Sequence, residues 1–110
     1  EWARALEAAG IKVLYGPASL KVHAKIASVV RKEGRTRCLY SYVGTGNLNA
    51  ATAAAYTDLG IFTSEAVLGR EMAQLFGIMG GTETKPDFER LVAAPFNMRS
   101  CFLELIDREI

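Results

Sequence analysis

The sequence predicts a mixed α/β fold with a β-hairpin at its centre and helices packed on the sheet, and three observations predict it. Two runs rich in β-branched residues, Lys21 to Lys32 and Arg37 to Val43, flank the polar turn Lys32-Glu33-Gly34-Arg35. Leu68, Met72, Leu75, Phe76 and Met79 recur at helical spacing ahead of Gly80-Gly81. A second helical stripe, Met98, Phe102, Leu105 and Ile106, lies near the end of the chain.

The remaining elements follow from the same signals, taken in chain order. Trp2, Ala5, Leu6 and Ala9 predict a first helix, which Gly10 ends by taking the left-handed conformation. Ile11 to Tyr15 alternate as a short strand before Gly16-Pro17. After the hairpin, Gly44-Thr45-Gly46-Asn47 breaks the second strand, and Asn49 to Ala55 favours a helical turn. Tyr56 to Thr63 reads as a further strand, giving four in the sheet, and Ser64 stands where a helix cap is wanted. Thr82 to Asp87 is a polar linker, Leu91 to Phe96 a candidate short strand, and Asn97 the cap of the last helix. The stripe from Met98 to Ile106 is expected in a core or against another domain.

Composition narrows the functional classes. Half of the 110 residues are hydrophobic and 23% are charged, yet no apolar run reaches the roughly 18 residues of a membrane span. That is the balance of a water-soluble globular domain. A formal net charge of +1 gives no general attraction to nucleic acid or anionic lipid, so anion binding must come from local clustering. Cys38 and Cys101 have no metal-ligand or redox spacing and are expected to be reduced structural thiols in the cytoplasm. The chain is small for an enzyme that needs separate donor and acceptor surfaces, and Glu1 to Gly10 is amphipathic with no Met before it. Residues 1–110 are therefore expected to be one partial domain of a longer protein.

The chain's one histidine lies in Lys21-Val22-His23-Ala24-Lys25, at the start of the first hairpin strand. Residues two apart on a strand share a face at about 6–7 Å, so His23 and Lys25 can address one anion. Free imidazole titrates near neutrality and offers an unprotonated nitrogen to attack phosphorus, while the ammonium stabilises phosphoryl oxygens. An isolated His-x-Lys is more commonly a half-buried strand pair. The Gly44-to-Asn47 loop adds weight because a hairpin returns it to the start of the first strand. Glycines on both sides of Thr45 let backbone N–H groups converge on an oxyanion, and Thr45 and Asn47 add side-chain donors. The plainer alternative is a strand-to-helix turn in which Asn47 or Asn49 caps the next helix. Arg31, Lys32, Arg35 and Arg37 gather at the hairpin turn, where charge serves solubility before any site.

A His-x-Lys strand, a second strand and a glycine-flanked loop ending in Asn resemble the phospholipase D superfamily, whose members form a phosphohistidine. Two positions depart from that pattern: Val30 stands where an aspartate is expected, and Thr45 where a serine is. The blocks Leu20 to Gly34, Tyr42 to Glu65 and Leu91 to Ile110 closely resemble the first C-terminal catalytic domain of bacterial polyphosphate kinases, in the family's order.

That resemblance implies a phospholipase D-like mixed sheet and an activity that moves the ATP γ-phosphate reversibly onto inorganic polyphosphate. It implies that His23 is the phosphohistidine nucleophile, that Lys25 stabilises the phosphate, and that Thr45, Gly46 and Asn47 bind phosphate. Tyr56 of the Tyr-Thr-Asp block would lie against the nucleotide; without the resemblance it reads as ordinary sheet packing. Asp58 would orient a donor or meet a basic side chain, with a simple turn acid as the alternative. Mg²⁺ and a second histidine would come from other parts of the parent chain, so these 110 residues alone are expected to turn over ATP negligibly. The expected partners are ATP, ADP, polyphosphate and the other domains of a homo-oligomeric parent, with no nucleic acid. The expected location is the cytoplasm, with peripheral membrane association left open. Two other classes remain: a phospholipase D-type phosphodiesterase half-site, and a polyanion-binding module without catalysis.

Overall fold

The computed structural model describes residues 2–110. Helix α1 (Trp2–Ala8) ends in a Schellman motif, with Gly10 N–H donating to Glu7 O and Ile11 N–H to Leu6 O at 2.9 and 3.0 Å. Gly10 takes φ +81°, as that motif requires of its last residue. Strands β1 (Lys25–Glu33) and β2 (Thr36–Gly44) form the central hairpin, in register from Lys25↔Gly44 to Glu33↔Thr36. Gly34 turns at φ +61° while Arg35 keeps a negative φ, the geometry of a II′ turn, and the Thr36 hydroxyl donates across it to Glu33 O at 3.0 Å.

Helix α2 (Ala50–Ala53) follows the loop, then β3 (Gly60–Thr63) pairs antiparallel with β2 from Ser41↔Thr63 to Gly44↔Gly60. The sheet order is β1-β2-β3. Helix α3 (Ala66–Met79) lies across the face that carries Ser28, Leu39 and Ser41, with Gly69 set against Leu39. Ser28 and Ser41 share a hydrogen bond of 3.1 Å there, and Ser41 is 3% exposed. Helix α4 (Met98–Asp107) completes the chain. The mixed α/β architecture thus stands as expected, with three strands in place of four.

The differences have local causes. Ile11 to Tyr15 alternate as a strand does, but no neighbouring backbone among the described residues completes a ladder with them, and they are assigned no strand. Tyr56 to Leu59 likewise fall short of β3, whose ladder begins at Gly60. Leu91 to Phe96 form no strand because their backbone donors go to side chains: Leu91 N–H to Glu71 and Ala93 N–H to Asn97. The cap of α3 is Glu65, one residue after Ser64, since its longer carboxylate reaches the N–H groups of Val67 and Leu68, each at 2.9 Å. Asn97 holds the cap position of α4, but its side chain turns back into the preceding loop and makes no cap bond.

Little of this chain is sealed from water. Met72 and Ile78 are its buried apolar side chains among the described residues. The surface is 9035 Å², against about 6,000 Å² for a compact monomer of this size. The radius of gyration is 16.1 Å, against about 13 Å for a compact domain of this length. The α4 stripe shows the same deficit: Phe102, Leu105 and Ile106 stay about half exposed, so it is not part of a core formed by this chain.

Candidate active site at the open end of the hairpin

Strand pairing sets the site. Lys25 opens β1 opposite Gly44, the last residue of β2, so the loop 44–47 leaves the sheet beside Lys25. His23 lies two residues before β1, outside the ladder, and is exposed. The Lys25 Nζ sits 3.0 Å from both ring nitrogens of His23 and donates to its carbonyl oxygen at 2.8 Å. An ammonium only donates, so the ring nitrogen that receives it presents a lone pair. An imidazole nitrogen and an ammonium group thus occupy the same few ångströms.

They open on a cleft of about 560 Å³. Its polar side chains are Lys21, His23, Lys25 and Thr45; the other lining residues are apolar or glycine and come from residues 17–24 ahead of β1, from β1, β2 and α3, and from the loop before α4 and the start of α4, among them Leu20, Ile26, Leu75, Ile78, Leu91 and Phe96. A second concavity of about 270 Å³ holds His23 and Lys25 together with Asn47 and Leu48. Of the residues singled out in the sequence, His23, Lys25, Thr45 and Asn47 therefore converge. Tyr56 does not: it is 71% exposed and lines neither space.

The loop is braced from behind by Asp58. The Thr45 hydroxyl donates to Asp58 Oδ1 at 2.8 Å and accepts from Leu59 N–H at 3.0 Å, while Thr45 N–H donates to Leu59 O at 3.0 Å. The Thr45 hydroxyl proton is committed to Asp58 and its N–H to Leu59 O, which leaves the backbone N–H groups of Gly46 and Asn47 and the Asn47 amide as donors for an anion. Gly46 passes so close to Asp58 that a Cβ on it would collide with the carboxylate. Asn49 caps α2 by accepting from Ala51 and Thr52 N–H at 2.9 and 3.2 Å, so the loop is a helix entry as well.

Two positioning residues, Glu71 and Gln74, escaped the sequence reading, and a third, Asn97, was expected there only as a helix cap. Glu71 is 5% exposed, and its carboxylate accepts from the N–H groups of Glu89, Arg90 and Leu91 at 2.6–3.2 Å. Gln74 accepts from Asp87 N–H at 3.0 Å, and Asn97 both accepts from Ala93 N–H and donates to Leu91 O. A signal for Glu71 existed: with Leu68, Met72 and Leu75 it completes an i, i+3, i+4, i+7 stripe, so an acid stood on the buried face of α3. Among the described residues no group of three or more His, Cys, Asp or Glu could hold a metal ion. Cys38 and Cys101 are free and half-buried.

The architecture is that of a phospholipase D-like α/β fold, and solved structures share it. A polyphosphate kinase from Porphyromonas gingivalis superimposes with a TM-score of 0.85 over 97% of this chain and 18% of that one, at 31% identity. Residues 1–85 match the family model described as polyphosphate kinase C-terminal domain 1. Polyphosphate kinases of Mycolicibacterium gilvum and Bacillus cereus are 44% and 45% identical over 110 and 109 residues, 100% and 99% of this chain. The chain belongs to the polyphosphate kinase family. It spans about 15% of the length of these curated relatives.

Proposed function

We propose that this chain carries the phosphate-accepting histidine of a polyphosphate kinase. The observation that carries the reading is the Lys25 ammonium set 3.0 Å from the ring nitrogens of His23, at the mouth of a cleft edged by a glycine loop. In the forward direction a His23 ring nitrogen attacks the γ-phosphorus of ATP, the bond to the bridging oxygen breaks, and ADP leaves. A terminal oxygen of polyphosphate then attacks the same phosphorus, the N–P bond breaks, and its electron pair returns to the imidazole. Run backward, polyphosphate loads the histidine and ADP unloads it.

Lys25 moves from the imidazole to the equatorial oxygens as they gain charge, while the backbone N–H groups around Gly46 and the Asn47 amide hold the remaining oxygens. Thr45, latched to Asp58, sets the loop's shape. Tyr56 is assigned to the nucleotide, which reaches it from outside the cleft. Magnesium is assigned to other parts of the parent protein, as are the second catalytic group and the oligomer contacts. A cytoplasmic location accompanies this reading. No helix among the described residues is long and apolar enough to cross a membrane.

In the full-length protein, His23→Ala should abolish both acid-labile phosphohistidine and polyphosphate synthesis, a loss of more than about 10⁴-fold. Labelled γ-phosphate measures both. A His23→Ala protein that still makes polyphosphate at the wild-type rate sinks the proposal.

A further inference from the structure

The segment 87–97 forms one apolar wall of the His23 cleft, through Leu91, Val92, Ala93, Ala94 and Phe96, yet it has no regular secondary structure to hold it. Side chains hold it instead. Glu71 receives three consecutive backbone N–H groups, Gln74 takes a fourth at Asp87, and Asn97 ties Leu91 to Ala93. A carboxylate 5% exposed on the packed face of α3 is costly unless its oxygens are satisfied. Here it is satisfied wholly by this wall, so the expense serves the wall's placement. The side chains that the wall presents to the cleft have no donor or acceptor for a phosphate. Its chemistry is exclusion of water.

From this we infer that the 87–97 segment shields the phosphorylated histidine from hydrolysis, and that Glu71 is the residue that positions the shield. The inference rests on the phosphohistidine proposed above. An N–P bond on His23 has two fates. Attack by a polyphosphate oxygen lengthens the chain. Attack by water breaks the same N–P bond, returns the electron pair to the imidazole and releases inorganic phosphate, wasting ATP. An apolar wall held against the cleft lowers the water available for the second route without touching the first.

The test uses the full-length protein, loaded from labelled ATP and then freed of nucleotide. The lifetime of the acid-labile phosphate is followed in buffer, and its transfer in the presence of polyphosphate. Leu91→Ala thins the wall while leaving every backbone bond to Glu71 intact. Glu71→Gln keeps the side chain's size but sets an amide NH₂ against the donors it should receive. Both should shorten the phosphoprotein lifetime at least about tenfold, with transfer to polyphosphate kept within about twofold. An unchanged lifetime in Leu91→Ala overturns the inference, even if Glu71→Gln fails to fold. So does a parallel fall of hydrolysis and transfer, which marks a merely structural role. A wild-type protein that never forms phosphohistidine strikes the assignment of His23 itself, and is read separately from either result.

Discussion

The two ends of the hairpin share one ladder and little else. At the open end, Lys25 and Gly44 are paired, and around them α3, the 44–47 loop and the 87–97 wall close a cleft. At the turn, Val29 and Val30 are more than half exposed, Arg31 makes one long contact of 4.0 Å with Glu33, and β3 does not extend this far. The Tyr40 hydroxyl donates to Glu33 at 2.7 Å, and that bond holds the phenol above its usual pKa. Four cations lie at the turn and three cleft-facing groups, Lys21, His23 and Lys25, at the other end. Charge alone does not locate the chemistry. What separates the ends is the chain around them: the 44–47 loop and the 87–97 wall edge the open end, and β3 stops short of the turn.

The difference should appear in mutants as opposite responses to losing a cation. Lys25→Ala removes the charge proposed to stabilise the phosphoryl oxygens, and should lower phosphohistidine formation by about 10²–10³-fold, as loss of one oriented donor does elsewhere. Rapid-quench measurement of labelled protein gives the number. A loss below about threefold would mean that Lys25 is only a strand residue. Asp58→Ala should have a smaller effect, because it removes the latch and not a contact to phosphate. The lost hydrogen bond, about 0.5–1.5 kcal/mol, corresponds to roughly a two- to tenfold fall in activity. It should appear in the affinity for phosphate more than in stability, and Asp58→Asn, which can still accept from Thr45, should restore most of it.

This contrast also explains what could be read in the sequence. The hairpin, α1, α3 and α4 follow from periodicity and turn chemistry, which are local. His23, Lys25 and the 44–47 loop were legible because a hairpin's register brings its two open ends together. The extra strands were not, because Ile11–Tyr15 and Leu91–Phe96 have the pattern of strands without a partner, and a pattern cannot report where N–H groups go. The clamp at Glu71 was missed for a related reason: its significance lies in backbone donors 18 to 20 residues away. Tyr56 shows the reverse case. The resemblance supplied it, and neither periodicity nor the cleft geometry singles it out.

At the turn, removal of a cation should help. Lys32 lies directly opposite Arg37 in the register, and like charges in a cross-strand pair repel. Lys32→Thr removes the repulsion and introduces a better strand former, so the parent protein should gain about 0.2–1 kcal/mol with activity unchanged. The denaturation midpoint decides it. A loss of activity would show that the turn, too, meets the substrate, and the contrast between the two ends would weaken.

The smallest effect concerns the start of α3, which covers the sheet between the two ends. The Glu65 carboxyl is held below its ordinary pKa, first by the hydrogen bond from Leu68 N–H and then by that from Val67 N–H. A lowered folded pKa means the unfolded state binds the proton more readily. The stabilisation is therefore fully present above the usual glutamate range, near pH 4.5, and is lost as the pH falls through the lower folded value. Glu65→Gln keeps an acceptor for the cap but not the charge that favours a helix N-terminus. Melting curves of the two proteins should differ by a constant amount near neutrality and converge in acid below the usual carboxylate range. A gap that widened on acidification would reverse the sign and remove the charge from the account. An absent gap at neutral pH would show that the two hydrogen bonds alone hold this end of α3.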